Sequence, residues 1–322
     1  MNSSETALEV TIAEYTERIS DELESRLSDG QPAALYEAAR HPIRAGGERL
    51  RPLLCLLVAE ALGIDADEQE SIMPAAAAVE LVHTSLLVHG DLINGSWVHQ
   101  DETAVHTEWD LPTAILAGDT LFPKAFEALL DTDTSPETLL TCHSELLNGC
   151  RQLCEGQAID RSFDQGQSPT ETEYIEMVRL KTGGLFEVSA RIGAILAENN
   201  ATYTDRVGAY GRNLGISYHI LADVRNITGE AGSHPKKPSH DIRQRKETLI
   251  TSHARQHGLD LPVRNDDAGD SVSAFESTGS IEFARDRALE YAQTAQRFLD
   301  PLPETPARRH LCGLGNLVIN RV

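Results

Sequence analysis

Lysine is nearly missing from this chain: Lys124, Lys181, Lys236, Lys237 and Lys246 are the only ones among 322 residues. Fifty acidic side chains stand against 28 basic ones, for a formal charge of −22, and arginine carries most of the positive share. Nothing resembles a basic patch, which excludes nucleic acid as a partner. The acid surplus reads as a surface that stays hydrated in concentrated salt, where screening removes the cost of self-repulsion. That is the composition of a halophile's cytosolic protein. Five cysteines, an odd number at irregular spacing, exclude a disulfide framework. The start MNSSETALEV lacks a basic-then-apolar signal pattern. No membrane span is expected from the apolar runs, so the expected location is the cytoplasm.

What is present is helical periodicity. Apolar residues recur every three or four positions over Leu53 to Leu62, Ile72 to Val88, Leu111 to Leu130, Leu139 to Leu153, Ile175 to Leu196 and Ala209 to Val224. Breakers separate these runs: Gly46-Gly47, Gly63, Gly95, Asp133 to Pro136, Gly166 with Pro169, Asn199-Asn200, and Gly229 to Pro238. The expectation is an all-α chain forming one domain over residues 1–322. Residues 1–30 read as an amphipathic helical arm with Ile12, Ile19, Leu23 and Leu27 on its apolar stripe. Residues 255–279, acidic and serine-rich, read as a mobile loop.

Two stretches carry the functional signal: Leu87-Val88-His89-Gly90-Asp91-Leu92-Ile93-Asn94-Gly95 and Tyr218-His219-Ile220-Leu221-Ala222-Asp223-Val224-Arg225-Asn226. Around them lie Gly46-Gly47-Glu48-Arg49-Leu50-Arg51-Pro52, Glu80-Leu81-Val82-His83-Thr84, Gly118-Asp119, Glu155-Gly156-Gln157, Arg179-Leu180-Lys181-Thr182-Gly183, Lys237-Pro238, Asp241-Ile242-Arg243 and Lys246-Glu247-Thr248-Leu249. In this order they resemble the motifs of the trans-isoprenyl diphosphate synthases, the polyprenyl synthetase family, from about residue 30 onward. The resemblance implies the isoprenoid synthase fold, an all-α bundle around a central hydrophobic cavity, usually dimeric. It also implies prenyl transfer from an allylic diphosphate to isopentenyl diphosphate, with magnesium held by two D-D-x-x-D motifs.

Both motifs are degenerate here, reading G-D-x-x-N and A-D-x-x-N. The degenerate positions are Gly90, Asp91 and Asn94 in the first and Ala222, Asp223 and Asn226 in the second, and the resemblance puts the three usual metal carboxylates at Gly90, Asn94 and Ala222. Only Asp91 and Asp223 keep a carboxylate. The resemblance places Arg49, Arg51, His83, Lys181, Thr182, His219, Lys237 and Lys246 at substrate diphosphates, with His219 standing where glutamine is usual. Glu48 replaces an expected lysine, and His99 and Gln100 an expected arginine pair. Losing one electrostatic partner of a transition state costs about 3–4 kcal/mol. Three losses sum to roughly 8–12 kcal/mol, softened by non-additivity.

The leading expectation is therefore a catalytically silent chain without a metal cofactor, acting as regulatory subunit in a heterodimer with an active synthase, or as a homodimer. A second reading is a working prenyltransferase in which Asp91, Asp223 and Asp101 or Glu102 rebuild a magnesium site. A third is a binder or carrier of prenyl diphosphates. Cys150 and Cys154 resemble a C-x-x-x-C subunit-pairing motif, but small buried residues are the preferred reading. Ser85 stands where members with shorter products carry an aromatic floor.

Overall fold

Helix after helix follows the apolar periodicity. The computed structural model describes residues 3–65, 68–99, 102–197, 201–229, 246–259 and 268–320. In chain order the helices are α1 (Ser3–Ser25), α2 (Ala33–Arg44), α3 (Leu50–Ala61), α4 (Gln69–Asn94), α5 (Val105–Glu108), α6 (Leu111–Leu130) and α7 (Pro136–Asp164). Then come α8 (Glu171–Val178), a π-helical turn (Arg179–Gly183), α9 (Gly184–Leu196), α10 (Ala201–Thr228), α11 (Leu249–Gln256), α12 (Ala268–Ser277), α13 (Ser280–Phe298) and α14 (Pro306–Asn320). A two-stranded antiparallel ribbon, β1 (Val98–His99) and β2 (Glu102–Thr103), follows α4, pairing Val98 with Thr103 and His99 with Glu102. The all-α expectation holds.

Helix ends obey local chemistry. Asp110 caps α6, its carboxylate accepting from Thr113 N at 2.7 Å, and Pro112 suits the first turn. Thr170 and Glu173 form a capping box on α8, and Thr248 with Thr251 one on α11. Gly95, in the left-handed region at φ 62°, ends α4 just past the first motif.

The chain divides into two compact units. The first comprises Met1–Asn148, Val188–Val207 and Leu302–Gly313; the second Gly149–Glu187, Gly208–Pro301 and Leu314–Val322. In the first, α3 carries an unbroken apolar run, Leu53 through Ala59, that is fully buried. Each such leucine contributes about 1.5–3 kcal/mol by leaving water. The alanine run Ala75 to Ala78 and Ala114, Ala117 and Gly118 belong to α4 and α6, which pack closely. A Cβ on Gly118 would fall 2.3 Å from the His89 imidazole, so glycine lets that ring lie on α6. The N-terminal arm is helical: Ile19, Leu23 and Leu27 are buried, while Ile12 is only half-buried. In the second unit α11 packs on α13, α8 and α12.

Two differences from the sequence reading stand out. Ala268–Ser277, inside the stretch expected to be loop, is helical, with Phe275 buried; residues 260–267 lie outside the described residues. And α4 is long and apolar enough to cross a membrane, although 78% of its most apolar stretch is buried inside the protein, as in a core helix.

Candidate active site

In the first unit, the last turns of α4 carry Gly90, Asp91 and Asn94. Asp91 is half-buried and Asn94, one turn on, is exposed. Asp91 borders a small cavity together with His41, Glu102 and Thr103. The ribbon is held there by backbone and side-chain bonds: Ala104 N donates to Trp97 O at 3.0 Å, and His41 Nε2 lies 2.7 Å from Thr103 O. His89 Nε2 is 3.5 Å from Asp119 Oδ1, bringing the expected Gly118-Asp119 pair beside the first motif.

Arg49 lies elsewhere than the sequence suggests. It precedes α3 in the left-handed region at φ 47° and is buried, with Nη1 donating to Glu80 Oε1 at 3.0 Å and Nη2 to Ile43 O at 2.6 Å. Its charge is engaged inside the first unit, so its assignment to a diphosphate is revised. Arg51 is half-buried and its carbonyl accepts from Ser189 Oγ; His83 is half-buried. Gln100, Asp101, Lys237 and the His99 side chain lie outside the described residues.

The second unit brings together Lys181, Thr182, His219 and Lys246. Gly156 on α7 lies against the π-helical turn; a Cβ there would be 2.5 Å from Lys181 N. That close approach lets Asp160, one turn further along α7, take the Lys181 ammonium as an ion-pair partner. On the other side of the turn, a Cβ on Gly215 would lie 3.0 Å from Gly183 Cα, so α10 approaches equally closely. His219, one turn beyond Gly215, thereby reaches Thr182, Nδ1 to Oγ1 2.7 Å. π-helical turns recur at functional sites because the extra residue re-aims side chains.

Asp223, the surviving carboxylate of the second motif, is buried beneath this cluster. Tyr174, itself fully buried, donates its hydroxyl to Asp223 Oδ2 at 2.6 Å. Lys246 Nζ lies 3.7 Å and His219 Nε2 3.9 Å from Asp223 Oδ1. Burial works to raise the Asp160 carboxyl's pKa, but the Lys181 and Lys246 charges outweigh it and hold that pKa low. Burial, with repulsion from Lys246, pulls the Lys181 ammonium down despite Asp160. Burial and the neighbouring Asp160 push the Asp164 carboxyl up. Ala222 and Asn226, half-buried, add no charge.

Sequence reasoning missed Asp160, Tyr174 and Glu80 as partners. For Asp160 a signal existed, three residues after Glu155-Gly156-Gln157; for Tyr174 and Glu80 nothing local marks the pairing. Cys150 is buried and its thiol is pushed up to about 12 by burial and by Cys154, which is exposed.

Among the described residues no group of three or more His, Cys, Asp or Glu side chains converges as a ready metal site. Magnesium asks for less from a protein: one or two carboxylates, with water and substrate phosphate completing its oxygen shell. Asp91, with Asn94 one turn on and Glu102 on the same cavity, supplies a hard-oxygen set of that kind. These residues, on α4 and β2, carry fewer carboxylates than the full motif.

The profile of the polyprenyl synthetase family matches residues 32–262. The chain is 37% identical to the geranylgeranyl pyrophosphate synthase of Geoglobus acetivorans, over 96% of this chain and 98% of that protein. A solved structure of that synthase superposes with a TM-score of 0.87. Identity is 35% to the geranylfarnesyl diphosphate synthase of Natronomonas pharaonis, over 98% of each chain. A polyprenyl synthase from Caulobacter crescentus, solved in complex with calcium and isoprenyl diphosphate, shares 26% identity and a TM-score of 0.87 over 96% of each chain. The chain belongs to the polyprenyl synthetase family and has its all-α fold.

These relatives correct two expectations. Full-length similarity to proteins named as synthases overturns the reading of a chain that is not an enzyme. Membership in a magnesium-using family, one of whose structures holds a divalent cation with its prenyl ligand, overturns the expectation of no metal. The energetic sum counted each altered motif position as a whole lost partner, whereas oxygen donors remain on α4 and paired cations in the second unit.

Proposed function

We propose that this chain is a trans-isoprenyl diphosphate synthase that extends an allylic diphosphate with isopentenyl diphosphate to a geranylgeranyl- or geranylfarnesyl-class product. The observation that carries the reading is the cluster of Lys181, Thr182, His219 and Lys246, assembled around the π-helical turn by two glycine-mediated close approaches. In a lysine-poor chain, two of five lysines meet there, where a departing diphosphate would gain charge.

Lys181 and Lys246 would receive the diphosphate oxygens, and Thr182 with His219 would orient them. Arg51 and His83, in the first unit, are the groups left for isopentenyl diphosphate. Glu48 makes that substrate's binding weaker than a lysine would. Asp91, Asn94 and Glu102 would hold magnesium, which when bound to the substrate neutralises charge on the leaving diphosphate. A salt-rich cytoplasm suits the acidic, lysine-poor composition.

The test is incorporation of labelled isopentenyl diphosphate by the pure protein in molar potassium chloride with magnesium, using geranyl, farnesyl and geranylgeranyl diphosphate as primers. Chain extension that stops on chelation of the metal is the expected result. No extension from any primer would refute the proposal.

A further inference from the structure

We propose that His253 is a positioning residue for the diphosphate cluster: in its neutral form it docks the end of α11 on α13 and so sets where Lys246 stands, and acid undoes that docking. The inference rests on the synthase reading above and deepens it, naming a regulation of the same site.

Lys246 lies just ahead of α11, which opens at its Thr248 cap. The segment is braced as one piece: Glu247 accepts from Thr251 Oγ1 at 3.2 Å and, one turn further on, from Arg255 Nη2 at 2.5 Å. At one end Lys246 faces Asp223 at 3.7 Å. The other end is held by rings. His253 stacks on Phe283 of α13 with centroids 4.2 Å apart, and His257 stacks on His253 at 4.1 Å. His253 Nδ1 lies 3.0 Å from Oγ of the buried Ser280, and His257 Nδ1 donates to His253 O at 2.9 Å. With eight residues in α11, a shift at the ring end is carried to Lys246 across only about 12 Å of helix.

This stack suits a neutral imidazole. Burial and the neighbouring His257 both push the His253 pKa below its ordinary value, against an opposing pull from Glu171 at the start of α8. That carboxylate is already engaged by Arg287 of α13, Nε to Oε1 2.8 Å, with Tyr291 acting on the same pair. Arg287 in turn stands over the Phe283 ring, 5.2 Å from its centroid. Beyond α12, Thr278 reaches Ser280 at 2.7 Å, and among the described residues no charge of α12 acts on His253. Arg255, on the same helix as His253, is taken by Glu247. Charging both imidazoles would set two cations face to face, with a third, Arg287, at the next ring. Since the folded pKa is depressed, docking is complete above the unfolded value near 6.5 and loosens as pH falls below it.

The experiment reads binding without turnover. Calorimetry measures inorganic pyrophosphate binding to the full chain from about pH 8 to about pH 5 at fixed potassium chloride, for the native protein and for His253→Phe. Phenylalanine keeps a ring in the stack and takes up no proton. The native-to-variant ratio of Kd cancels the titration of pyrophosphate itself and of His219. That ratio is expected to rise at least about threefold across the range, as the docked fraction of the native chain falls. Should His253→Phe fail to fold, His257→Phe leaves any charge on His253 between two neutral rings and should give the same rise. A ratio that stays flat or falls overturns the proposal and leaves the synthase reading standing. No pyrophosphate binding at any pH would refute the synthase reading, and this inference with it.

Discussion

The buried pair of Arg49 and Glu80 gives the sharpest test of how this scaffold uses its charges. Their side chains are 3% and 5% exposed, and the guanidinium reaches Glu80 Oε1 at 3.0 Å. At an effective dielectric of about 20 that separation is worth roughly 5 kcal/mol of attraction. The cost of desolvating both ions is of similar size, so the intact pair adds little net stability. Arg49 Nε and Glu80 Oε2 have no hydrogen-bond partner among the described residues, which lowers the return further. Breaking the pair is another matter. Glu80→Gln keeps the shape but leaves the guanidinium buried without its counter-charge, and should destabilise by about 3–5 kcal/mol. Arg49→Met should cost a similar amount by stranding the carboxylate. Combined Arg49→Met and Glu80→Leu should recover most of the loss, because an apolar pair needs no compensation. Urea denaturation at fixed potassium chloride measures all four proteins. A Glu80→Gln chain within about 0.5 kcal/mol of the native one would refute the reasoning. So would an Arg49→Met chain of native stability with a much raised KM for isopentenyl diphosphate, which would return Arg49 to the substrate.

Three further outcomes are expected. Asp91→Asn should lower kcat by roughly a hundredfold, and Asn94→Asp should reduce the magnesium needed for half-maximal rate; magnesium titration of the initial rate checks both, and an unchanged Asp91→Asn rate would contradict the site. Ser85 is buried with Oγ donating to Gly118 O at 2.8 Å, so Ser85→Phe places a ring between α4 and α6 and should shorten the product; chromatography of the dephosphorylated prenols would show an unaltered chain length if the idea is wrong. Burial pushes the Tyr15 hydroxyl up to about 12, with Gln69 opposing and Glu60 adding to the rise. The folded pKa is raised, so its contribution is complete below the unfolded value near 10 and is lost as pH climbs from about 10 to 12. Tyr15→Phe should remove that alkaline slope, worth about 1–2 kcal/mol, and a slope identical to the native protein's would sink the assignment.

The helices were legible because apolar spacing and breakers mark them locally. Gly95 after the first motif and Gly63 after α3 end their helices where the sequence puts breakers. The helix at Ala268–Ser277 was not legible: its acidic, serine-rich composition hides an apolar side that includes buried Phe275. Lys181, Thr182, His219 and Lys246 could be picked out in advance because each sits in a recognisable motif. Their partners could not. Lys181 meets Asp160 across 21 residues, Arg49 meets Glu80 across 31, and Tyr174 meets Asp223 across 49. Such pairings depend on helix packing, about which local pattern says little. The same limit explains Arg49: a motif names the residue type but not whether the guanidinium points outward or into the core. Motif letters likewise showed which carboxylates were gone from the metal positions, but not that Asp223 had acquired a phenol and a lysine as neighbours.

The wide turn at Arg179–Gly183 makes this stretch intolerant of changes in length. Dropping a single residue would let it relax into an ordinary α-helix and rotate every following side chain by about 100°. Thr182 would swing off His219, and Gly183 would no longer lie beneath Gly215. Point substitutions in the turn can be absorbed one at a time, whereas a one-codon deletion there would dismantle the contacts of Lys181, Thr182 and His219 at a stroke.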